Sequence, residues 1–525
     1  MKTYDALVIG SGINGLVAAA ILAGRGWSVG LIEANDRLGG FIDSGERTVP
    51  GYTHDTFSSW HPLFQIGGGY AALGADLARH GLEYANSDGA ITASIGSDGR
   101  AVIAHRDPAA TTADFEQPAD REAYAQMLAE FDRLGDVIGT VLSSELSLPL
   151  LAKQAWKTWR RQARVGTELL ARDLVSSGNA YLERRFAGWE VDRLWAPWLL
   201  HSGLGPEHAT GGLMIPVFAA TLHGVGMPVV RGGAANFIAA FEALLRERGV
   251  GIHLGSAVDS ITVRDGVATG VTAGGEPYAA TRAVLAGVTP TALYGALLPK
   301  ESVPADVATQ AAQYRYGRGA MQIHLALSAP LDWNDARLAA VPLVHLTDGG
   351  RAIAVSAAQA AAGMLPATPT VVVGQQSVLD PSRAPEGAAT LWIQLQEVPY
   401  APTSDAAGEL DVSAGWSPAL VDGYVDRVIG LIERHAPGIR ASIVGMEVLS
   451  PLDLERANAN APFGDPYAGA GELDQNLLWR PLPALARHQT PVRNLWHIGA
   501  STHPGPGLGG GSGYLVSDHL GRARR

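Results

Sequence analysis

Apolar positions near the N-terminus fall into two patterns. A run of three, Leu7 to Ile9, precedes a helix-compatible segment, Leu16 to Ala23, and a second short run follows, Val29 to Ile32. Short unbroken apolar runs mark strands buried on both faces, and the segment between them suits a helix packed over them. Residues 10–15, Gly-Ser-Gly-Ile-Asn-Gly, join the first strand to that helix. Gly10 permits the tight turn, Gly12 lets a pyrophosphate approach the backbone, and Gly15 lets the helix close on the sheet. The unpaired N–H groups and positive dipole end of the helix then face the phosphates. Glu33 ends the second strand, where a carboxylate accepts hydrogen bonds from ribose hydroxyls and repels a 2′-phosphate. The complete unit predicts an adenosine dinucleotide without that phosphate.

Further along, residues 84–105 alternate around Ser97-Asp-Gly-Arg100, which predicts a β-hairpin. Ala119 to Gly139 and the Arg- and Trp-rich region 150–190 have helical periodicity. From residue 228 the order is Pro228 to Gly233, a helix over Ala235 to Arg248, and strands at Gly251–Gly255, Ala257–Val263, Ala268–Thr272 and Arg282–Gly287. That order continues an α/β sheet begun at the N-terminus. Residues 314–445 read as a separate α+β portion, with strands near Ala320–Leu327, Thr370–Val373 and Leu391–Glu397. The last 35 residues give a strand, Asn494 to Gly499, a glycine-rich loop, Ala500 to Gly513, and a helix, Tyr514 to Leu520. Gly67-Gly-Gly69 lacks a preceding strand and is expected to be a loop. A second nicotinamide-binding turn is therefore not expected.

Composition removes several classes. A net charge of −12 over 525 residues argues against a nucleic-acid partner. With no cysteine, disulfide redox centres, thiolate metal sites and a cysteinyl-linked flavin are excluded, and no metal is expected. No apolar stretch of about 18 residues could span a bilayer. Lys2 leads straight into the first strand, so the expected location is cytoplasmic or peripheral to a membrane.

The three cofactor-like blocks together resemble the phytoene desaturase-like carotenoid oxidoreductases, flavoproteins of the glutathione-reductase-type FAD superfamily. The resemblance rests on Val8 to Gly15, Glu33 with Leu38-Gly-Gly40, Arg231-Gly-Gly233, Ala257-Val258 and the Gly499–Gly513 loop, and runs through nearly the whole chain in order. It is closer to the soluble bacterial branch than to phytoene desaturase itself. It implies an α/β fold: a Rossmann-like FAD-binding domain built from 1–75, 226–300 and 488–525. An α+β substrate domain would take 76–225 and 301–487, with a helical region at about 119–200. The cofactor implied is noncovalent FAD, held by Gly10, Gly12, Asn14, Gly15, Glu33, Ala34, Arg37, Gly39, Gly40, Val258, Gly499, Gly509, Gly510 and Ser512. Val258 would offer its backbone to the adenine, and the last loop and helix would cover the ribityl chain and flavin. The family's arginine after the glycine pair is Phe41 here, which lacks the charge for a phosphate contact.

Candidates for catalysis are three histidines. His503, inside the expected flavin-facing loop, has the ordinary pKa to move protons; the alternative is that it only shapes the loop. His61, with His54, lies in or beside Ser58 to Phe64; the two would bind substrate, link covalently to flavin, or belong to a packed aromatic loop. His324 sits on a substrate-domain strand, as a cavity floor or a satisfied core residue. Lys153 to Arg164 combines five cations and two tryptophans, which suits an interfacial membrane helix and equally a solvated helix with inward tryptophans. Trp189–Leu200 and Leu213–Phe218 suit an apolar channel or plain core.

The expected function is an FAD-dependent desaturase or dehydrogenase taking a hydride from an apolar, isoprenoid-like or alicyclic substrate. Oxygen or a quinone would receive the electrons, in the absence of a nicotinamide domain. Rivals are a flavin amine oxidase, a redox-neutral flavin-dependent isomerase and a flavoprotein without catalysis. Many flavin amine oxidases place a lysine beside the flavin; of Lys2, Lys153, Lys157 and Lys300, only Lys300 lies mid-chain.

Overall fold

The run Leu7–Ile9 lies at the centre of a seven-stranded sheet in the computed structural model, which describes residues 1–485 and 487–522. The strands run Val258–Arg264, Val267–Ala273, Glu276–Ala286, Lys2–Ile9, Val29–Ile32 and Gly251–His253, and Leu495–His497 pairs with Glu276–Ala286. Val8 stands between Leu285 and Leu31, parallel to both. Parallel strands need cover on both faces, which explains their unbroken apolar runs. Helix Ile13–Gly24 supplies one cover, with Leu16, Val17 and Leu22 fully buried. Helices Gly68–Arg79, Ala235–Glu247 and Gly511–Arg522 pack around it, so it is apolar on every side. Each of those buried side chains is worth about 1.5–3 kcal/mol.

A second seven-stranded sheet runs Ile443–Leu449, Gly319–Leu327, Ala389–Val398, Val371–Gly374, Leu343–Leu346, Ala90–Ile95 and Ala101–His105. The hairpin at 90–105 thus joins strands from beyond residue 319, Ala93 pairing in parallel with Val344. Period-two alternation gives this sheet two different faces. Ala93, Val344, Val373, Ile323 and Leu395 pack with helix Pro418–Glu433 in one core. The other face carries Ser94, His345, Gln394 and Gln322 beside Val372 and Trp392, under a helical layer containing Trp195, Trp198 and Leu199.

Two local readings need correction. Gly68 and Gly69 are not a loop; they open helix Gly68–Arg79, and Gly67 is its N-cap. A Cβ on Gly68 would sit 2.5 Å from the Tyr514 ring, so close helix packing overrides the low helix propensity of glycine there. The tryptophans of helix Leu148–Val175 do not face inward. Trp156 and Trp159 are 57% and 52% exposed, while Gln154 and Thr158 take the buried side.

Candidate functional site

At the first strand–helix turn, Gly10 has φ +85° and its N–H donates to the Ile32 carbonyl at 2.8 Å. A Cβ on Gly15 would lie 2.0 Å from the Gly10 oxygen, so only glycine lets this helix come so close to the turn. Around Gly12 a Cβ would meet nothing within 4 Å, and Gly12 caps helix Ile13–Gly24 without any side-chain bond. The first turn of the helix is therefore left without a side-chain cap, beside open space at Gly12, as an anion site needs. Glu33 is 7% exposed; its Oε2 accepts from Ser11 N–H at 2.7 Å and Ser11 Oγ–H at 2.6 Å, and its Oε1 accepts from Asn35 N–H at 2.9 Å.

Later segments converge on this turn. Ser11 Oγ and the Ser11 carbonyl both accept from Gly39 N–H, and a Cβ on Gly40 would lie 3.6 Å from the Gly12 Cα. Arg37 does not project freely toward the turn. Its guanidinium donates to the Leu38 and Gly40 carbonyls and faces Asp43 at 3.7 Å, bracing the glycine-pair loop. Ala34 is exposed beside Glu33, and Val258 is half-buried just after Ser256, whose N–H donates to the Glu33 carbonyl. From the C-terminal block, Ser512 Oγ accepts from Gly499 N–H at 2.8 Å and Asn14 Oδ1 from Gly513 N–H at 3.2 Å. Gly510, at φ +65°, touches the same helix: a Cβ there would meet Val17, and one on Gly509 would face the Leu63 carbonyl at 3.5 Å. Sequence reasoning overlooked Ser11, which occupies a variable place in the motif. It also overlooked Asn460, whose Nδ2–H donates to the Gly287 carbonyl and whose Oδ1 accepts from Thr289 N–H. An open cradle at Gly12, an uncapped helix end and a buried carboxylate fit an adenosine dinucleotide.

The three candidate histidines are each held by hydrogen bonds or ring contacts within the protein. His503 Nε2–H donates to the Val141 carbonyl at 2.9 Å, and its own carbonyl accepts from His488, whose Nδ1 is 2.6 Å from Glu145. Burial lowers its pKa to about 4, so His503 is a neutral anchor between the closing loop and the end of helix Pro118–Leu142. His61 is sealed against Phe237 and Tyr84, and burial lowers it to about 3. His324 Nε2–H is shared between the Asp55 and Thr56 carbonyls, and burial with the neighbouring His54 takes it to about 3. His54 faces His324 edge-on and pairs with Thr48 Oγ. Groups this far below neutrality are uncharged at pH 7.

Between the sheets, Asp55 Oδ2 accepts from Arg383 Nη1 at 2.7 Å and Ser59 Oγ at 2.5 Å, and its Oδ1 accepts from Ala234 N–H. That network fixes the segment leading into Ser58–Phe64, where Ser58 Oγ and Trp60 Nε1 are buried without partners among the described residues. Trp195, Trp198 and Leu199 lie in the core above the second sheet, and Trp198 stacks on His201. None of the four lysines is buried: Lys2, Lys153 and Lys300 are exposed, and Lys157 pairs with Asp136. Among the described residues, no group of three metal-ligating side chains forms, and no helix is long and apolar enough to cross a membrane.

Residues 13–413 match the family model described as flavin containing amine oxidoreductase. The chain is 26% identical to pyridine nucleotide-disulfide oxidoreductase domain-containing protein 2 of Mus musculus, covering 97% of this chain and 92% of that protein. It is 24% identical to a limonene dehydrogenase subunit of Castellaniella defragrans, covering 98% and 94%. It is 23% identical to a 4,4′-diapophytoene desaturase of Staphylococcus haemolyticus, covering 95% of each. Among solved structures, an oxidoreductase from Methanosarcina mazei shares the fold with a TM-score of 0.64 at 15% identity, covering 99% of this chain and all of that one.

Proposed function

The chain belongs to the flavin-containing amine oxidoreductase family and is an FAD-dependent oxidoreductase, and from that premise we propose that it is a desaturase-like dehydrogenase. Its substrate is an apolar, isoprenoid-like or alicyclic molecule that loses a hydride and a proton from adjacent carbons, leaving a C=C bond. Bound flavin supplies the hydride acceptor. The chain's part is to hold substrate against that acceptor and exclude water. Residues 1–75, 226–300 and 488–525 hold the cofactor, the last three and Ala486 lying outside the described residues; 76–225 and 301–487 take the substrate. FAD is held noncovalently by Gly10, Gly12, Asn14, Gly15, Glu33, the Gly39–Gly40 loop and the Gly499–Ser512 segment. Oxygen or a quinone would be the final electron acceptor.

The observation that carries this reading is the lysine-free interior beside a wall of buried tryptophan and leucine. An amine oxidase that relies on an internal lysine has none to use here. The test is anaerobic mixing of the holoenzyme with a panel of hydrophobic alkenes and ketones. Bleaching of the flavin with a product two mass units lighter is expected. A panel that never bleaches it, or peroxide release from amines alone, overturns the reading; a product of unchanged mass points to isomerisation.

The exposed tryptophans favour peripheral membrane contact through residues 150–165. Trp156 and Trp159 share their helix with Lys153, Arg160 and Arg164, and its apolar Leu148 and Val165 are also exposed. Arg161 and Lys157 are committed to Asp136 and Arg164 to Glu168, which leaves Lys153 and Arg160 to face anionic headgroups. Co-sedimentation with anionic but not neutral vesicles, lost in Trp156→Ser/Trp159→Ser, is the expected result.

A further inference from the structure

We propose that the substrate layer accepts a neutral, elongated, oxygen-bearing isoprenoid or lipid, recognised by a row of uncharged polar side chains across the second sheet. The inference rests on the reading above that this layer receives the substrate, and it narrows the substrate class. The row follows from register. Ser94 pairs with His345, His345 with Val372, Val372 with Gln394 and Gln394 with Gln322. Directly paired residues share a face, so these side chains form one line spanning four strand spacings, about 19 Å.

One end of the row and the position next to the other have defined surroundings. Gln322 lies between Ala320, which packs on Phe57, and His324, which donates to the Asp55 and Thr56 carbonyls. The row therefore begins against the segment that follows the cofactor block. Next to its other end, His345 Nε2 meets His201 Nε2 at 3.0 Å, from the helical layer above. Two strands further along, beside Gln394 on the same strand, Gln396 donates to Tyr467 Oη, which donates to the Leu200 carbonyl, a second tie to that layer.

The row is not satisfied by the protein. Gln322 is 1% exposed, yet neither its Oε1 nor its Nε2 has a partner among the described residues. Ser94 and Thr92, both wholly buried, leave their hydroxyls unpaired, and so does the Oε1 of Gln396. Buried amides and hydroxyls are ordinarily paired, and an unpaired one costs stability without return. A plain hydrocarbon would leave every one of these groups unpaired. A ligand with hydroxyl or carbonyl oxygens along an apolar skeleton would pair them.

Charge sets the other limit. Serine, threonine and glutamine carry none, and burial keeps His201 and His345 neutral. No carboxylate stands in the row to receive an ammonium, so an amine is disfavoured there.

The test uses the oxidised FAD-loaded protein and three probes on one skeleton: farnesol, farnesylamine and β-farnesene. Binding is read from perturbation of the flavin spectrum, without turnover. Farnesol should bind tighter than β-farnesene and farnesylamine by about tenfold or more, because a site built for an oxygen rejects an analogue that lacks it. Gln322→Met and Ser94→Ala, one nearly isosteric and one minimal, should narrow the farnesol preference while leaving β-farnesene affinity and FAD content unchanged. Equal binding of farnesol and β-farnesene overturns the proposal, as does a preference unchanged in both FAD-loaded variants. Bleaching is followed separately under anaerobic conditions. Selective farnesol binding with no bleaching by any substrate supports the polar row and overturns the dehydrogenase reading. Bleaching by β-farnesene with no farnesol preference does the reverse.

Discussion

Arg383 and Asp55 form an ion pair closed from solvent, Nη1 to Oδ2 at 2.7 Å, with side-chain exposures of 1% and 0%. The pair ties the second sheet's domain to the segment leading out of the first cofactor block. Arg383 also donates to the Val230 carbonyl and pairs with Asp380, whose carboxylate accepts from Gly232 N–H. Three backbone groups around the Arg231–Gly233 turn, the Val230 carbonyl and the Gly232 and Ala234 N–H groups, are thus held by one guanidinium and two carboxylates. Removing one partner leaves a buried charge uncompensated. Arg383→Met is expected to lower unfolding free energy by about 3–5 kcal/mol, measured by chemical denaturation of the holoenzyme. Asp55→Asn combined with it should cost less than the sum of the singles.

Ser11 links Glu33 to the glycine-pair loop by three hydrogen bonds, two to the carboxylate and one from Gly39. Glu33→Gln removes the charge that receives ribose hydroxyls and Ser11. Hydrogen bonds to a charged group are worth about 1.5–3 kcal/mol, so FAD affinity should fall by about ten- to a hundredfold. Ser11→Ala keeps the charge and loses only the hydroxyl, with a smaller loss expected. Titration of apoprotein with FAD, followed by flavin fluorescence quenching, distinguishes the two.

Gly68→Ala places a methyl group into the Tyr514 ring, 2.5 Å away, at the contact between helices Gly68–Arg79 and Gly511–Arg522. Overpacking of this kind costs about 1–3 kcal/mol. Tyr514→Leu in the same chain should recover part of the loss, because the clash is with the ring and not with backbone. A Tm series of wild type, single and double variants checks this; a double variant no better than Gly68→Ala alone would contradict the packing account.

Much of the first sheet was legible because its signals are local: an apolar run, a glycine turn and a charged strand end lie within 33 residues. The site's other half was not. Ser94, His345, Gln394 and Gln322 come from four segments and meet only through strand register, which no local window contains. Gly68 was misread because its partner, Tyr514, lies at the other end of the chain. The contact of His503 was hidden for the same reason: its acceptor, the Val141 carbonyl, belongs to a helix 362 residues away. The sequence leaves His503 between moving protons and shaping the loop, and the structure adds the bond that ties it to that helix.

The buried histidines make stability depend on pH in a definite direction. Burial lowers His54, His497 and His503 to about 4, and His61, His201 and His324 to about 3. Unfolded, each titrates near its ordinary 6.5, so below that pH the unfolded chain binds protons that the folded chain refuses. Stability is therefore full above about pH 6.5 and falls as pH drops toward 4, by up to about 1.4 kcal/mol per pH unit for each histidine. The Tm should decline steeply between pH 6.5 and 5, where carboxylates with ordinary pKa values change little.

His503→Gln separates anchoring from catalysis. The glutamine Nε2–H can still donate to the Val141 carbonyl, 2.9 Å from the histidine donor, while the titrating ring is gone. The variant should retain FAD and lose one proton's share of the acid sensitivity. Because His503 is neutral and already donating at Nε2, kcat at pH 7.5 should stay within about threefold of wild type, far short of the 10²–10⁴-fold loss that removal of a general acid or base brings. His503→Ala, which abandons the Val141 carbonyl, should lower both Tm and FAD retention. A kcat loss of a hundredfold in His503→Gln, with FAD content and Tm intact, would return this histidine to the chemistry and make the Val141 bond a resting-state contact.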